Sequence, residues 1–153
     1  MHRLMEIDVL EVSYELHMIG DDLYRIGSDE ILNNQVKVCV NGKQYKTSRL
    51  IYTLKHGISP TQYLLLNDDN QYIQVDQATK QMYNYRFATK TTKCRDGYLA
   101  RWSDKEGKRS SKVFKLHRDA ERYAKQMVID IWSSKLIELK LYDSYLACNL
   151  SPN

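Results

Sequence analysis

The chain has 153 residues, of which 42% are hydrophobic and 27% are charged, and its formal net charge is +4 at pH 7. This length is typical of one globular domain, or of two very small domains that share a core. No apolar run is long enough to span a bilayer and the first residues lack the apolar core of a signal peptide, so we expect no membrane partner. Its cysteines, Cys39, Cys94 and Cys148, and its four histidines are scattered, which favours the cytoplasm and predicts neither a metal site nor a cofactor.

The first third of the chain contains three segments with the residue pattern of β-strands. Residues 5–14 alternate imperfectly between apolar and polar side chains, and residues 22–26 alternate over a shorter stretch. Residues 35–40 alternate cleanly, which would place their three valines on one face of a strand. Asn41-Gly42 follows at once, and this dipeptide is a strong signal for a two-residue hairpin turn.

A short helix is predicted directly after this hairpin. Apolar residues recur at helical spacing over 50–54, and Thr47 or Ser48 would cap the helix while Gly57 would end it. Residues 63–66 form a continuous apolar run. We therefore expect them to make a buried segment after the helix.

The second part of the chain is predicted to form three strands followed by one long helix. The strands are expected over 85–93, 98–103 and 108–115. Asp119 would supply a negative charge or a cap at the start of the helix, which must cover the apolar face of the sheet. Leucines extend the apolar stripe towards the end of the chain, where they would pack on the first part or form a dimer seam. The stripe consists of Ala120, Tyr123, Ala124, Met127, Val128, Ile131 and Trp132, continued by Leu136, Leu139 and Leu141.

The faces of these strands decide which side chains are free to bind a partner. Alternation directs Arg101 away from Tyr98 and Trp102 in the second strand. Arg86 in the first strand and Lys112 in the third are expected to share a face with Arg101. A slip of one residue in the register would exchange the two faces.

Four motifs occur in order in the first part of the chain, namely Val40-Asn41-Gly42-Lys43-Gln44-Tyr45, Ser48-Arg49-Leu50, His56-Gly57-Ile58-Ser59-Pro60 and Asn67-Asp68-Asp69-Asn70. Together they resemble the HNH module of phage-type homing endonucleases. The resemblance implies a ββα module and a bacteriophage origin. In that family the module cleaves DNA with a bound metal ion.

The residues that would perform this cleavage are missing from the positions where the resemblance places them. The family's Asp/Asn-His pair would fall on Leu65-Leu66, a later asparagine ligand on Ala78, and a histidine on Ser48. One-metal hydrolysis needs oxygen ligands for the cation and a base that activates water. We therefore expect a degenerate HNH-like module without catalytic residues, with an active nuclease whose site has moved as the weaker alternative.

A second set of motifs follows, namely Gly97-Tyr98-Leu99-Ala100-Arg101-Trp102, a turn over 104–107, a strand pattern over 108–114 and Asp119-Ala120-Glu121-Arg122-Tyr123-Ala124. This set resembles the ethylene-response-factor type of DNA-binding domain. The resemblance implies a three-stranded antiparallel sheet packed on one helix, with the sheet in the major groove of DNA. The predicted fold is thus α+β, with an HNH-like part over 1–83 and a sheet-and-helix part over 84–153.

The basic residues are concentrated in the predicted sheet. Residues 1–83 carry 8 Lys/Arg and 11 Asp/Glu, residues 84–118 carry 11 and 3, and residues 119–153 carry 4 and 5. Such a basic segment between two slightly acidic ones is typical of phosphate contact. A solvated, lysine-rich hairpin that only maintains solubility is the alternative.

The sequence therefore predicts a phage protein of the host cytoplasm that binds duplex DNA without cleaving it, as a monomer or homodimer. The alternative is an inhibitor that binds a host protein, such as a defence nuclease, through acidic residues of the first part. The predicted nucleic-acid contacts are Arg86, Lys90, Arg95, Arg101, Lys108, Arg109 and Lys112. The acidic candidates for a protein contact are Asp21, Asp22, Asp29 and Glu30.

Overall fold

The computed structural model describes residues 6–84 and 92–149, without the side chains of the last two. These residues form a mixed α+β structure with small antiparallel sheets and one long helix, which confirms the predicted class. Their contacts divide them into two compact units, a first unit of residues 6–65 and 72–74 and a second unit of the remainder. Among the helices of the described ranges, none combines the length and hydrophobicity that crossing a bilayer requires.

The first unit consists of short elements around a small apolar core. Ile7, Val12, Leu16, Leu23 and Leu50 are among the residues that form this core, each exposed by 2% or less. The elements are α1 (Val9–Ser13), β1 (Leu16–Ile19), β2 (Asp22–Arg25), β3 (Lys37–Val40), β4 (Lys43–Lys46) and α2 (Thr47–His56), followed by the hairpin β5 (Tyr63–Leu66) and β6 (Tyr72–Val75), whose tip belongs to the second unit.

The strand predicted over 5–14 is wrong. The Asp8 carboxylate accepts hydrogen bonds from the amides of Leu10 and Glu11 and so caps the helix α1. Strand β1, which the sequence did not reveal, follows this helix and pairs with β2. The strand predicted over 22–26 is confirmed as β2.

The hairpin predicted at Asn41-Gly42 is confirmed. Val40 pairs with Lys43, and the two turn residues have φ of 50° and 77°, as the favoured two-residue turn requires. Two of the three valines of the predicted strand are buried, whereas Val36 precedes β3 and is 81% exposed.

The helix predicted after the hairpin is confirmed as α2, but its predicted cap is wrong. Lys46 occupies the N-cap position without a side-chain hydrogen bond. Thr47 is the first helical residue, and its hydroxyl donates to the carbonyl of Gln35. Gly57, with φ of 70°, ends the helix as predicted and donates its amide to Thr53 O.

The second unit is built on a three-stranded antiparallel sheet that packs on a long helix. The sheet order is β7 (Thr92–Cys94), β8 (Gly97–Ser103) and β9 (Arg109–Phe114), and α4 (His117–Glu138) packs on β8 and β9. Trp132 of α4 is fully buried and donates its indole N–H to the carbonyl of Ser103, 2.8 Å away. The elements of the unit are α3 (Gln77–Tyr83), β7 (Thr92–Cys94), β8 (Gly97–Ser103), β9 (Arg109–Phe114), α4 (His117–Glu138) and α5 (Tyr142–Asn149).

The predicted strands over 98–103 and 108–115 agree with β8 and β9 to within a residue, and most of the strand predicted over 85–93 lies outside the described residues. The apolar stripe of α4 is confirmed, with Leu136 buried near its end. Asp119 lies in the first turn, and Leu116 holds the N-cap position. Leu141 is buried beyond the helix, after a turn in which Lys140 has φ of 58°.

Candidate nucleic-acid interface

The register of the β7-β8-β9 sheet sorts its side chains onto two faces. Tyr98 and Trp102 of β8 face α4, where their rings meet those of His117 and Tyr123, each with centroids 5.3 Å apart. Ala100, which lies between them in the strand, is fully buried. The alternate residues of β8 are therefore directed away from α4, as the sequence predicted.

We call the face directed away from α4 the open face. Arg101 is exposed on it and stands directly across from Ser111, while Ser103 stands across from Arg109. Arg101 and Arg109 are thus diagonal neighbours, about 7–8 Å apart at their backbones. The open face consists of Thr92, Cys94, Leu99, Arg101, Ser103, Arg109, Ser111 and Val113.

Lys112 does not share the face of Arg101, which corrects the prediction from sequence. It stands across from the buried Ala100 and therefore lies on the side that faces α4. Its ammonium lies 4.8 Å from the ring centroid of Tyr123 and 5.4 Å from that of Phe114. This cation–π contact holds the Lys112 ammonium on the side of β9 that faces α4, opposite the open face.

The turn between β8 and β9 is held by one carboxylate. Asp104 accepts hydrogen bonds from the amides of Lys108 at 2.8 Å and Glu106 at 3.1 Å, and its own amide donates to Lys108 O. Lys105 and Lys108 are exposed in this turn. The turn therefore presents Lys105, Lys108 and the carboxylate of Glu106 to solvent, while the charge of Asp104 is used internally.

The remaining predicted contacts lie at different places. Arg95 is exposed in the turn between β7 and β8, and Arg109 is exposed at the start of β9. Arg86 and Lys90 lie outside the described residues. The structure thus brings together Arg101 and Arg109, a pair that the sequence alone did not distinguish from its neighbours.

The cations of residues 92–118 have few carboxylates to neutralise them. This stretch contains nine Lys/Arg and three Asp/Glu. Within the described part of the chain, no ion pair involves any of these nine cations. By contrast, Lys125, Lys135 and Lys140 of the same unit all pair with carboxylates at 2.9–3.0 Å. The positive potential of the second unit is consequently concentrated on the sheet, its turns and the start of α4.

The acidic residues predicted for a protein contact lie in the first unit. Asp21 pairs with Lys55 at 2.5 Å, so its charge is partly neutralised. Asp22 is half-buried in β2, and Asp29 and Glu30 are exposed in the loop that follows.

An open groove of about 560 Å³ lies beside α1, and its acidic lining has a structural role. Glu15 accepts the backbone amide of Asn41 at 2.8 Å, and Glu11 accepts the side-chain amide of the same residue at 3.0 Å. Glu11 thus joins α1 to the turn of the β3–β4 hairpin, and Glu15 joins the segment after the helix to the same turn.

The positions to which the HNH resemblance assigns the catalytic residues are occupied by three aliphatic side chains and one serine. Leu65 is buried in β5, Leu66 is 42% exposed in the same strand, and Ala78 is half-buried in the first turn of α3. Ser48 lies half-buried in α2. Among residues 6–84 and 92–149, no three His, Cys, Asp or Glu side chains are grouped so that they could hold a metal ion.

Comparison of the chain with protein families, with curated proteins and with solved structures gives no match. Its function must therefore be inferred from the geometry and charge of the chain itself.

Proposed function

We propose that the protein binds duplex nucleic acid, most favourably DNA, through the open face of the β7-β8-β9 sheet. The observation that carries this proposal is that Arg101 and Arg109 are exposed as neighbours on the open face and have no ion-pair partner in the described structure. Lys105 and Lys108 of the adjoining turn are also exposed there without an ion-pair partner. Unpaired cations on one surface attract the phosphate backbone and release its condensed counterions.

The dimensions of β8 and β9 suit the major groove. The groove of B-form DNA admits a two-stranded β-ribbon, and adjacent strands lie about 4.8 Å apart. Both arginines of the open face belong to this pair of strands. Arginine can donate two hydrogen bonds to the edge of a guanine, or it can bind phosphates at the groove's rim.

The distribution of aromatic residues favours a duplex over a single strand. Single strands are bound by stacking their bases on exposed aromatic rings. In the described part of the sheet, Tyr98, Trp102 and Phe114 all lie on the side that faces α4. The open face there offers cations, hydroxyls and aliphatic groups instead.

The two resemblances fit this proposal. The order β5-β6-α3 supports a degenerate HNH-like ββα module, because Leu65 lies in its first strand and Ala78 in its helix. The sheet with its covering helix supports the likeness to ethylene-response-factor domains. A phage nuclease scaffold that has lost cleavage and kept binding would account for both.

The proposal is tested by fluorescence anisotropy with a labelled duplex across a salt series. We expect binding that weakens steeply with salt. In the double variant Arg101→Ala, Arg109→Ala, the free energy of binding should weaken by about 1–3 kcal/mol for each arginine that contacts a base edge. For each arginine that binds a phosphate instead, the double variant should reduce the salt slope by about one.

Lys43→Ala with Lys46→Ala is the matched control, because it removes the same charge from exposed positions of β4 in the first unit. This variant should bind like the unchanged protein. Absence of binding at low salt, or equal weakening by both double variants, would refute the proposal.

A further inference from the structure

Two aliphatic side chains interrupt the polar open face of the sheet. Leu99 of β8 and Val113 of β9 are directly opposed partners on this face. Val113 is 46% exposed and Leu99 is half-buried. Neither packs against α4, because the residues that alternate with them do so. The pair thus presents an apolar surface beside Arg101 where duplex nucleic acid would lie.

We infer that Leu99 and Val113 contact the 5-methyl group of thymine in the major groove, so that the protein prefers duplexes containing thymine at one position. This inference rests on the proposed function. In the major groove, the methyl group of thymine is the apolar feature that distinguishes an A·T pair, and aliphatic side chains recognise it by contact. A cation at the same position would bind phosphate without such a preference.

The spacing of Leu99 and Arg101 along β8 predicts the distance between the two bases that they would contact. Leu99 and Arg101 are two residues apart on one face, which corresponds to about 6.8 Å along the strand. Successive bases of one DNA strand are separated by about 3.4 Å along the helix axis. With β8 aligned along the groove, a thymine under Leu99 lies about two base steps from the base under Arg101. The open face therefore fits a short site with thymine at one end and a base that binds arginine, preferably guanine, at the other.

The test changes the nucleic acid and leaves the protein intact. Two duplex pools of equal length and random sequence are prepared, one with thymine and one with deoxyuracil in its place. These bases differ only by the methyl group. We expect the thymine pool to compete about fourfold better for the protein, which corresponds to burial of one methyl group.

Leu99→Ser with Val113→Ser should bring the ratio between the pools close to one, since serine has no methyl group to contact that of thymine. Val36→Ser with Ile58→Ser, at exposed positions of the first unit, is the matched control and should keep the ratio. Equal binding of both pools by the unchanged protein would overturn the inference and leave the proposed function standing. Loss of the ratio in both variants would also overturn it, whereas failure to bind either pool would refute the proposed function itself.

Discussion

The Asp68 carboxylate joins the tip of the β5–β6 hairpin to the start of α5. It accepts hydrogen bonds from Ser144 Oγ at 2.6 Å, from Ser144 N at 2.8 Å and from Asp143 N at 3.3 Å. Partial burial acts to raise the pKa of Asp68, but the bonds from Ser144 and Asp143 outweigh it and hold the pKa below its ordinary value of 3.8. The charged carboxylate therefore stabilises the fold above about pH 4, and this contribution is lost as the pH falls through the pKa of the folded state.

Asp68→Ala should lower the free energy of unfolding at neutral pH by about 0.5–2 kcal/mol, because two amides at a helix start lose their acceptor. The difference from the unchanged protein should begin to shrink as the pH falls below about 4 and should be lost as the pH falls through the lowered pKa of Asp68 in the folded state. Urea denaturation at several pH values measures both effects.

Asp69→Ala is the control for this prediction. Asp69 pairs with Lys140 at 3.0 Å, and both side chains are more than half exposed, so its removal should cost about 0–1 kcal/mol. If the two variants were equally stable at neutral pH, the capping role of Asp68 would be wrong.

The β8–β9 hairpin depends on a glycine at the start of β8. Gly97 has φ of +142°, a conformation that other residues rarely adopt. A Cβ at this position would collide with the carbonyl oxygen of Phe114 and lie 3.0 Å from its carbonyl carbon. Both neighbours are backbone atoms, so the strands would have to separate to admit a side chain.

Gly97→Ala should therefore destabilise the protein more than Gly107→Ala in the following turn. Gly107 also has a positive φ, of +87°, but a Cβ there would meet only Ala78 Cβ at an ordinary 3.7 Å. We expect Gly107→Ala to cost about 1–2 kcal/mol from backbone strain alone. Urea unfolding of both variants measures the difference, and an equal or reversed order would show that the strands can yield at Gly97.

The elements that the sequence revealed are those with strong local signals. The Asn41-Gly42 dipeptide is specific enough to predict a hairpin turn. The apolar stripe of α4 repeats at helical spacing over enough residues to predict a helix. Helix α1 has only five residues, so its formation depends on one capping carboxylate rather than on periodicity. A helix this short contains too few residues to show the apolar periodicity from which a helix is predicted.

The composition of the open face could not be predicted from sequence with the same certainty. Its strands and the direction of Arg101 followed from alternation, but the side of Lys112 depended on how β9 pairs with β8. That register is set by the turn over 104–108, where Asp104 binds two amides. A shift of one residue would have placed Lys112 beside Arg101 and buried Val113.

Net charge conceals how the whole chain distributes its ionic groups. The sum of +4 combines an excess of eight cations over residues 84–118 with a small acidic excess in the remainder. In the described structure, carboxylates outside the sheet are used for caps and ion pairs, as Asp76 shows by accepting from Thr79 N and from Lys135. The sheet keeps its cations unpaired, so the chain can attract an anionic polymer at a modest total charge.

We expect the whole molecule to bind DNA without cleaving it. Supercoiled plasmid incubated with the protein and either magnesium or manganese should remain uncut, because hydrolysis needs a held cation and a base. The HNH resemblance would place these groups on Leu65, Leu66 and Ala78, which supply neither. A gel-shift measurement under the same conditions must show that the protein binds the plasmid. An uncut plasmid then indicates that the bound protein does not cleave DNA.

The Arg101→Ala, Arg109→Ala double variant, prepared in the same way, distinguishes this protein's activity from a contaminating nuclease. Equal cutting by both preparations would identify a contaminant, since the variant is expected to bind DNA weakly. Cutting that requires the metal ion, stops with a chelator and disappears in the double variant would contradict the expectation. It would show that a catalytic site exists elsewhere in the chain.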